Sequence, residues 1–98
     1  MAGNYFTYIT TNPKRTALYV GMINDLYTRM VKHYQERGNK RTYAGRYYCY
    51  NLIYFERFDS PTDAIDREKE IKKWRRSKKE TLIASLNPEW KFYDLKEL

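Results

Sequence analysis

The chain has 98 residues, enough for one hydrophobic core and one domain spanning residues 1–98. Its 19 Lys and Arg against 12 Asp and Glu give a formal net charge of +7, which favours an anionic partner, nucleic acid or an acidic membrane surface. A single cysteine, Cys49, excludes an internal disulfide and a Cys/His zinc cluster; with no stretch of membrane-span length and no signal-peptide core, the sequence predicts a reduced, cytoplasmic protein outside the membrane.

Residues 5–10 are rich in aromatic and β-branched side chains and predict a strand, as do residues 16–21. Between them, Asn12-Pro13-Lys14-Arg15 has turn chemistry, because Asn readily turns and proline fixes φ. A hairpin centred between Pro13 and Lys14 sets Tyr8 directly across from Tyr19, with both rings on one face. Asn24 is then a helix cap, Asp25 suits the first turn and Gly38 the end. On that helix Leu26, Met30 and Tyr34 form a core stripe, with Arg29 and His33 one residue behind on a parallel stripe.

Residues 38–47 read as a basic loop. Residues 49–58 predict a third strand, with Cys49 a small core residue near its start. Its Leu52-Ile53-Tyr54-Phe55 run predicts burial on both faces, hence a central position in the sheet. Ser60, Pro61 and Asp63 mark a helix start. Ser77 and Glu80 have the spacing of a capping box for a last helix, which Asn87-Pro88 ends. The predicted order is β-β-α-β-α-α, with a tail anchored by Trp90 and Tyr93.

Glu68 stands out on the second of these helices. At 100° per residue, Ala64, Ile65 and Ile71 all lie within about 60° of it, so the carboxylate falls inside the apolar stripe. A carboxylate there must be ion-paired, protonated or metal-bound. One carboxylate can hold a single Mg²⁺ that keeps its waters and leans on substrate phosphate. The surrounding stretch, residues 67–80, carries eight Lys and Arg against three Glu. A structural ion pair and a solvated basic face are the alternatives for these residues.

Taken in order, Phe6-Thr7-Tyr8, Tyr19-Val20-Gly21, Arg29, His33, Glu68 and Asn87 closely resemble the GIY-YIG nuclease family, over nearly the whole chain. "LYVGMINDLYTRMVKH" resembles the family's second motif and following helix, "AIDREKEIKKWRR" the helix with its metal-binding glutamate, and "SLNPEW" the closing segment of small stand-alone members. The first motif departs from the pattern, with Phe-Thr before the tyrosine where the family has Gly-Ile.

The resemblance implies an α/β (α+β) fold with a small three-stranded antiparallel sheet flanked by helices. It also implies a metal-dependent endonuclease acting on DNA phosphodiesters, with RNA left open. One Mg²⁺ or Mn²⁺ ion would sit on Glu68. Tyr8 would position or deprotonate the water, with Tyr19 and His33 relaying the proton and Arg29 neutralising phosphate charge. Gly21 would let the chain turn near the substrate and Asn87 would support the site. Lys40, Arg41, Arg46, Lys72, Lys73, Arg75 and Arg76 are candidate phosphate contacts, which carry no sequence information. Structure-directed cleavage in DNA repair or recombination, or specificity borrowed from a protein partner, follows from that. Two other readings stay open: a nucleic-acid-binding module with an inactive site, and an interaction protein in which Glu68 merely pairs with an arginine.

Overall fold

The computed structural model describes residues 3–98. Three antiparallel strands, β1 (Tyr5–Thr11), β2 (Leu18–Ile23) and β3 (Asn51–Phe58), form one sheet in the order β2-β1-β3. Helix α1 (Leu26–Gln35) and a short α2 (Tyr43–Arg46) lie between β2 and β3; α3 (Pro61–Lys72), α4 (Arg76–Leu86) and a single 3-10 turn (Leu95–Glu97) follow. This is the expected α+β sheet flanked by helices. Helix α2 is the addition, inside what the sequence presents as a basic loop. Among the described residues no helix is long and apolar enough to cross a membrane.

The central strand is β1, not β3. Residues Thr7 to Thr11 of β1 are all buried, but Thr7, Thr10 and Thr11 conceal this from a hydrophobicity reading. Two of these threonines satisfy their hydroxyls on backbone carbonyls: Thr7 Oγ1 donates to Ala64 O (2.7 Å) and Thr11 Oγ1 to Ala17 O (2.7 Å). β3 is buried on both faces because the chain after α4 lies along it. The Tyr93 N–H donates to Leu52 O (2.9 Å) and Asn87 Nδ2 to Ile53 O (2.8 Å).

The hairpin register is two residues away from the expected one: Tyr8 pairs with Gly21, and Tyr19 with Thr10. The cause is loop 12–17, which folds around Asn12. Its Oδ1 accepts from Thr16 N (2.8 Å) and Ala17 N (2.9 Å), and Arg15 takes the left-handed conformation at φ +59°. These bonds hold residues 16 and 17 out of the strand. A shift of two keeps side chains on the same face, so Tyr8 and Tyr19 remain neighbours, diagonally rather than directly.

Alternation along β1 sends Ile9 to one core cluster and Tyr8 to another. Ile9 packs with Val20, Ile53, Ile71 and Ile83; Tyr8 packs with Leu26, Met30 and Leu52. In α1 the cap is Asp25, whose Oδ1 accepts from Thr28 N (3.2 Å), rather than Asn24. The inward stripe of α1 is Leu26, Met30 and His33; Tyr34 faces outward against Tyr50 and beneath the Arg37 guanidinium.

Helix α3 starts as its sequence dictates, with the Ser60 hydroxyl accepting from Asp63 N (3.1 Å). Helix α4 begins before the expected capping box. Ser77 is already helical, and Glu80 is engaged by Arg76 (3.0 Å) instead of reaching back to a cap. Cys49 is buried, and burial pushes its thiol up to about 11. Tyr93 packs edge-on against Phe55, and the Trp90 carbonyl accepts from Arg15 Nε (3.0 Å), so both tail aromatics are anchored.

Candidate active site

Tyr8 is fully buried in the central strand, and its hydroxyl is the hub of the site. Arg29 Nε donates to the Tyr8 oxygen at 3.1 Å, and His33 Nε2 lies 2.8 Å from it. Arginine has only donors, so the tyrosine accepts from Arg29 and its single proton points to His33. His33 is held down to about 4, by burial first and then by the Arg29 and Lys32 charges, so its ring is neutral at pH 7. Nε2 therefore accepts, and the ring proton sits on Nδ1. Burial raises the Tyr8 phenol above its ordinary value despite the neighbouring Arg29, so Tyr8 stays protonated. Burial works against the charge on Arg29, but its hydrogen bond and attraction to Tyr8 outweigh this and raise its pKa.

Gly21 faces this hub across the strand pair. A Cβ there would overlap the Tyr8 hydroxyl and ring, and meet Tyr19 Cε2 at 2.9 Å. Its backbone has no positive φ; among the described glycines only Gly38, at φ +87°, does. Gly21 thus makes room for the Tyr8 side chain rather than turning the chain, which corrects the expected role.

Tyr19 completes the aromatic wall, with its ring 6.2 Å from Tyr8 and 5.4 Å from His33. Lys72 Nζ lies 5.8 Å over the Tyr19 ring and 3.6 Å from Glu68 Oε2, which brings the end of α3 to the same place. The Glu68 charge also acts on Tyr8. Glu68 is half-buried at the margin of the α3 apolar stripe, not in its middle, because Ile65 is exposed and Ala64 and Ile71 alone form the buried line. The ion pair weighed from the sequence is made with Lys72, not with an arginine. Arg67, on the same helix, instead reaches Glu56 on β3 at 3.0 Å and Glu70, a network that includes the Tyr54 hydroxyl on Glu56 and is separate from Tyr8 and Tyr19.

Tyr8, Tyr19, Gly21, Arg29, His33 and Glu68 are therefore brought together. Asn87 is not in hydrogen-bond contact with them. Its buried side chain donates to Ile53 O (2.8 Å) and Lys91 O (2.9 Å) and accepts from Lys91 N (3.0 Å), bolting the end of α4 to β3. The basic residues divide. Lys72 flanks Glu68; Lys73 and Arg75 are exposed between α3 and α4. Arg76 is committed to the Thr16 carbonyl (2.7 Å) and Glu80. Lys40, Arg41 and Arg46 line one hollow at α2 together with Tyr43 and Tyr47. The sequence signal for those two tyrosines is their i, i+4 spacing, which a helix puts on one face and a basic loop does not. The Phe-Thr departure leaves the hub untouched: Phe6 packs on Phe55 and Thr7 ties β1 to α3.

Glu68 suits a divalent ion only in part. Among the described residues no three His, Cys, Asp or Glu side chains gather as a metal cage. A lone hard carboxylate beside an open surface fits Mg²⁺, which retains water and completes its shell with phosphate.

The family model of the GIY-YIG catalytic domain matches residues 4–81. A UPF0213 protein of Natronomonas pharaonis is 38% identical over 84 residues, which cover 86% of this chain and 95% of that protein. A UPF0213 protein of Staphylococcus saprophyticus is 39% identical over 71 residues, covering 72% of this chain and 84% of that protein. The solution NMR structure of a UPF0213 protein of Bacillus halodurans superposes with a TM-score of 0.56 at 30% identity, covering 89% of each chain. The chain belongs to the GIY-YIG family, whose members are generally nucleases, alongside its UPF0213 members.

Proposed function

We propose that the protein is a divalent-metal-dependent endonuclease that hydrolyses DNA phosphodiester bonds, choosing its target by DNA structure in repair or recombination. The observation that carries this reading is the Tyr8 hydroxyl, fixed between Arg29 and His33 in space cleared by Gly21, with the Glu68 carboxylate alongside.

A divalent ion on Glu68, Mg²⁺ or Mn²⁺, would supply charge stabilisation to the phosphate and the leaving oxygen. The chain's own residues account for the rest. Arg29 offers its remaining guanidinium donors to a phosphate while Nε keeps hold of Tyr8. The attacking water gives its proton to the Tyr8 oxygen as Tyr8 passes its own to His33 Nε2, so two protons move, the second along the existing Tyr8–His33 hydrogen bond. Arg29 is the second largest influence holding His33 down. A phosphate that neutralises Arg29 therefore makes His33 a better base at the moment of binding. Lys72 and the exposed Lys73 and Arg75 extend positive charge beyond Glu68 for the phosphate backbone.

The test is incubation of the protein and of Glu68→Ala with labelled linear, single-stranded, flapped and branched DNA, in Mg²⁺, Mn²⁺ or EDTA. Metal-dependent products from the unaltered protein alone support the reading. DNA binding without products in any metal would replace it with an inactive binding module.

A further inference from the structure

The aromatic wall does not stop at Tyr19. Tyr43 stacks on it at 6.4 Å with ring planes 26° apart, and Tyr47 follows at 4.7 Å from Tyr43. Tyr43 and Tyr47 are 52% and 45% exposed, so each presents ring surface to solvent. Both line a shallow hollow of about 290 Å³ with Lys40, Arg41, Thr42 and Arg46. No carboxylate occurs in the sequence from residue 37 to 55, and none of these three cations is ion-paired among the described residues.

The hollow is built, not loose. Thr42 Oγ1 accepts from Gly45 N (3.0 Å), Gly38 N donates to Gly45 O (2.8 Å) and Cys49 N to Ala44 O (2.9 Å). A Cβ on Gly45 would meet Asn39 O at 2.5 Å and Thr42 Oγ1 at 2.7 Å, so the loop backbone closes tightly around that glycine. Exposed rings on a fixed backbone, ringed by unpaired cations, have the chemistry that holds a base by its face and its phosphate by charge. A base inside a duplex has both faces covered by its neighbours, so the rings can take only an unpaired one.

We propose that Tyr43, stacked on Tyr19, and Tyr47, tilted beside it, form with the flanking Lys40, Arg41 and Arg46 a subsite for an unpaired nucleotide next to the phosphate held at Arg29. The proposal rests on the DNA-cleavage reading for its ligand and adds a preference: DNA with a single-stranded segment, such as a flap, over continuous duplex.

The experiment is fluorescence anisotropy in EDTA with a labelled single strand, a flapped duplex and a plain duplex. Tyr43→Leu/Tyr47→Leu, at half-exposed positions, loses about tenfold in affinity for the single strand and flap and keeps its duplex affinity. Tyr43→Phe/Tyr47→Phe retains the rings and binds like the unaltered protein. An unchanged single-strand affinity in the leucine pair, or an equal loss on duplex, overturns the subsite. Binding is read without turnover, so the two readings fail separately. A protein that cuts DNA but ignores the leucine pair lacks the subsite; one that responds to it yet never cuts retains the subsite and is no nuclease.

Discussion

Tyr8 donates its only hydroxyl proton to His33 Nε2 across 2.8 Å while accepting from Arg29 at 3.1 Å. His33 is buried, so Tyr8→Phe leaves its imidazole Nε2 without this partner, and the half-buried Arg29 loses an acceptor. The substitution should lower unfolding free energy by about 1–3 kcal/mol. Turnover should fall by about 10²–10⁴-fold. Urea denaturation and a single-turnover cleavage assay read the two effects apart; full activity in the phenylalanine variant would remove Tyr8 from the proton path.

His33 makes stability depend on pH. Its native pKa lies near 4 against an ordinary 6.5, so between those values the unfolded chain binds a proton that the folded chain refuses. The stabilisation is complete above pH 6.5 and declines as pH falls toward 4. Its size is on the order of 3 kcal/mol. Denaturation midpoints of the protein and of His33→Gln should therefore converge as pH drops from 7 to 4.5. Carboxylates titrate in both, so parallel curves would show that His33 is not the group responsible.

Glu68→Gln keeps the shape of the side chain and removes the charge. The exposed partner Lys72 makes the lost ion pair worth about 0.3–0.5 kcal/mol, so the melting temperature should barely move. Cleavage should fall by about 10³-fold or more if Glu68 anchors the ion. Isothermal titration with Mn²⁺ in the presence of a non-hydrolysable DNA analogue checks the anchoring directly: the heat in excess of that from the DNA analogue alone should vanish in the variant.

Gly21→Ala meets no backbone obstacle, and its Cβ runs into Tyr8. Displacing that ring should cost about 1–3 kcal/mol and reduce turnover in the molecules that remain folded. Gly38→Ala provides the contrast. Its φ of +87° makes the substitution strained, but its Cβ would meet only Tyr48. That variant should lose stability while each folded molecule cuts at the normal rate.

Asn87→Ala breaks the bolt between α4, β3 and the tail, and should cost about 2–4 kcal/mol. Turnover normalised to folded protein should stay constant. A drop in turnover with stability unchanged would instead give Asn87 a part in the chemistry.

The residues that meet at Tyr8 were legible because α1 and the hairpin follow local rules: Arg29 and His33 are one helical turn apart, and Tyr8 and Tyr19 share a face in either register. The register itself was not legible, because Asn12 satisfies two backbone donors beyond the turn and so lengthens the loop. The central position of β1 is hidden in the sequence because its buried threonines look polar until Ala64 and Ala17 supply acceptors for two of them. Conversely, the apolar run in β3 reflects a covering segment that is far away in sequence. Ile65 matched the helical period of the core stripe but lies on the outer side of α3, since the sheet contacts a narrower arc than the pattern suggested. Ser60 and Pro61 start α3 where the sequence places them, because capping is a local matter.

The position of β1 between β2 and β3 has a consequence for how the chain is made. As synthesis proceeds, β1 emerges first, and its second edge waits for residues 51–58 before it is paired. Such non-local pairing slows folding. The tyrosines, Arg29 and His33 all leave the ribosome before Glu68, so a nascent chain carries an incomplete site until α3 has emerged and docked on β1 through Thr7 and Ala64. A chain truncated ahead of α3 would lack Glu68 and also Ile71 and Ile83, which pack on Ile9, so the site and the core that holds it are completed by the same late segment.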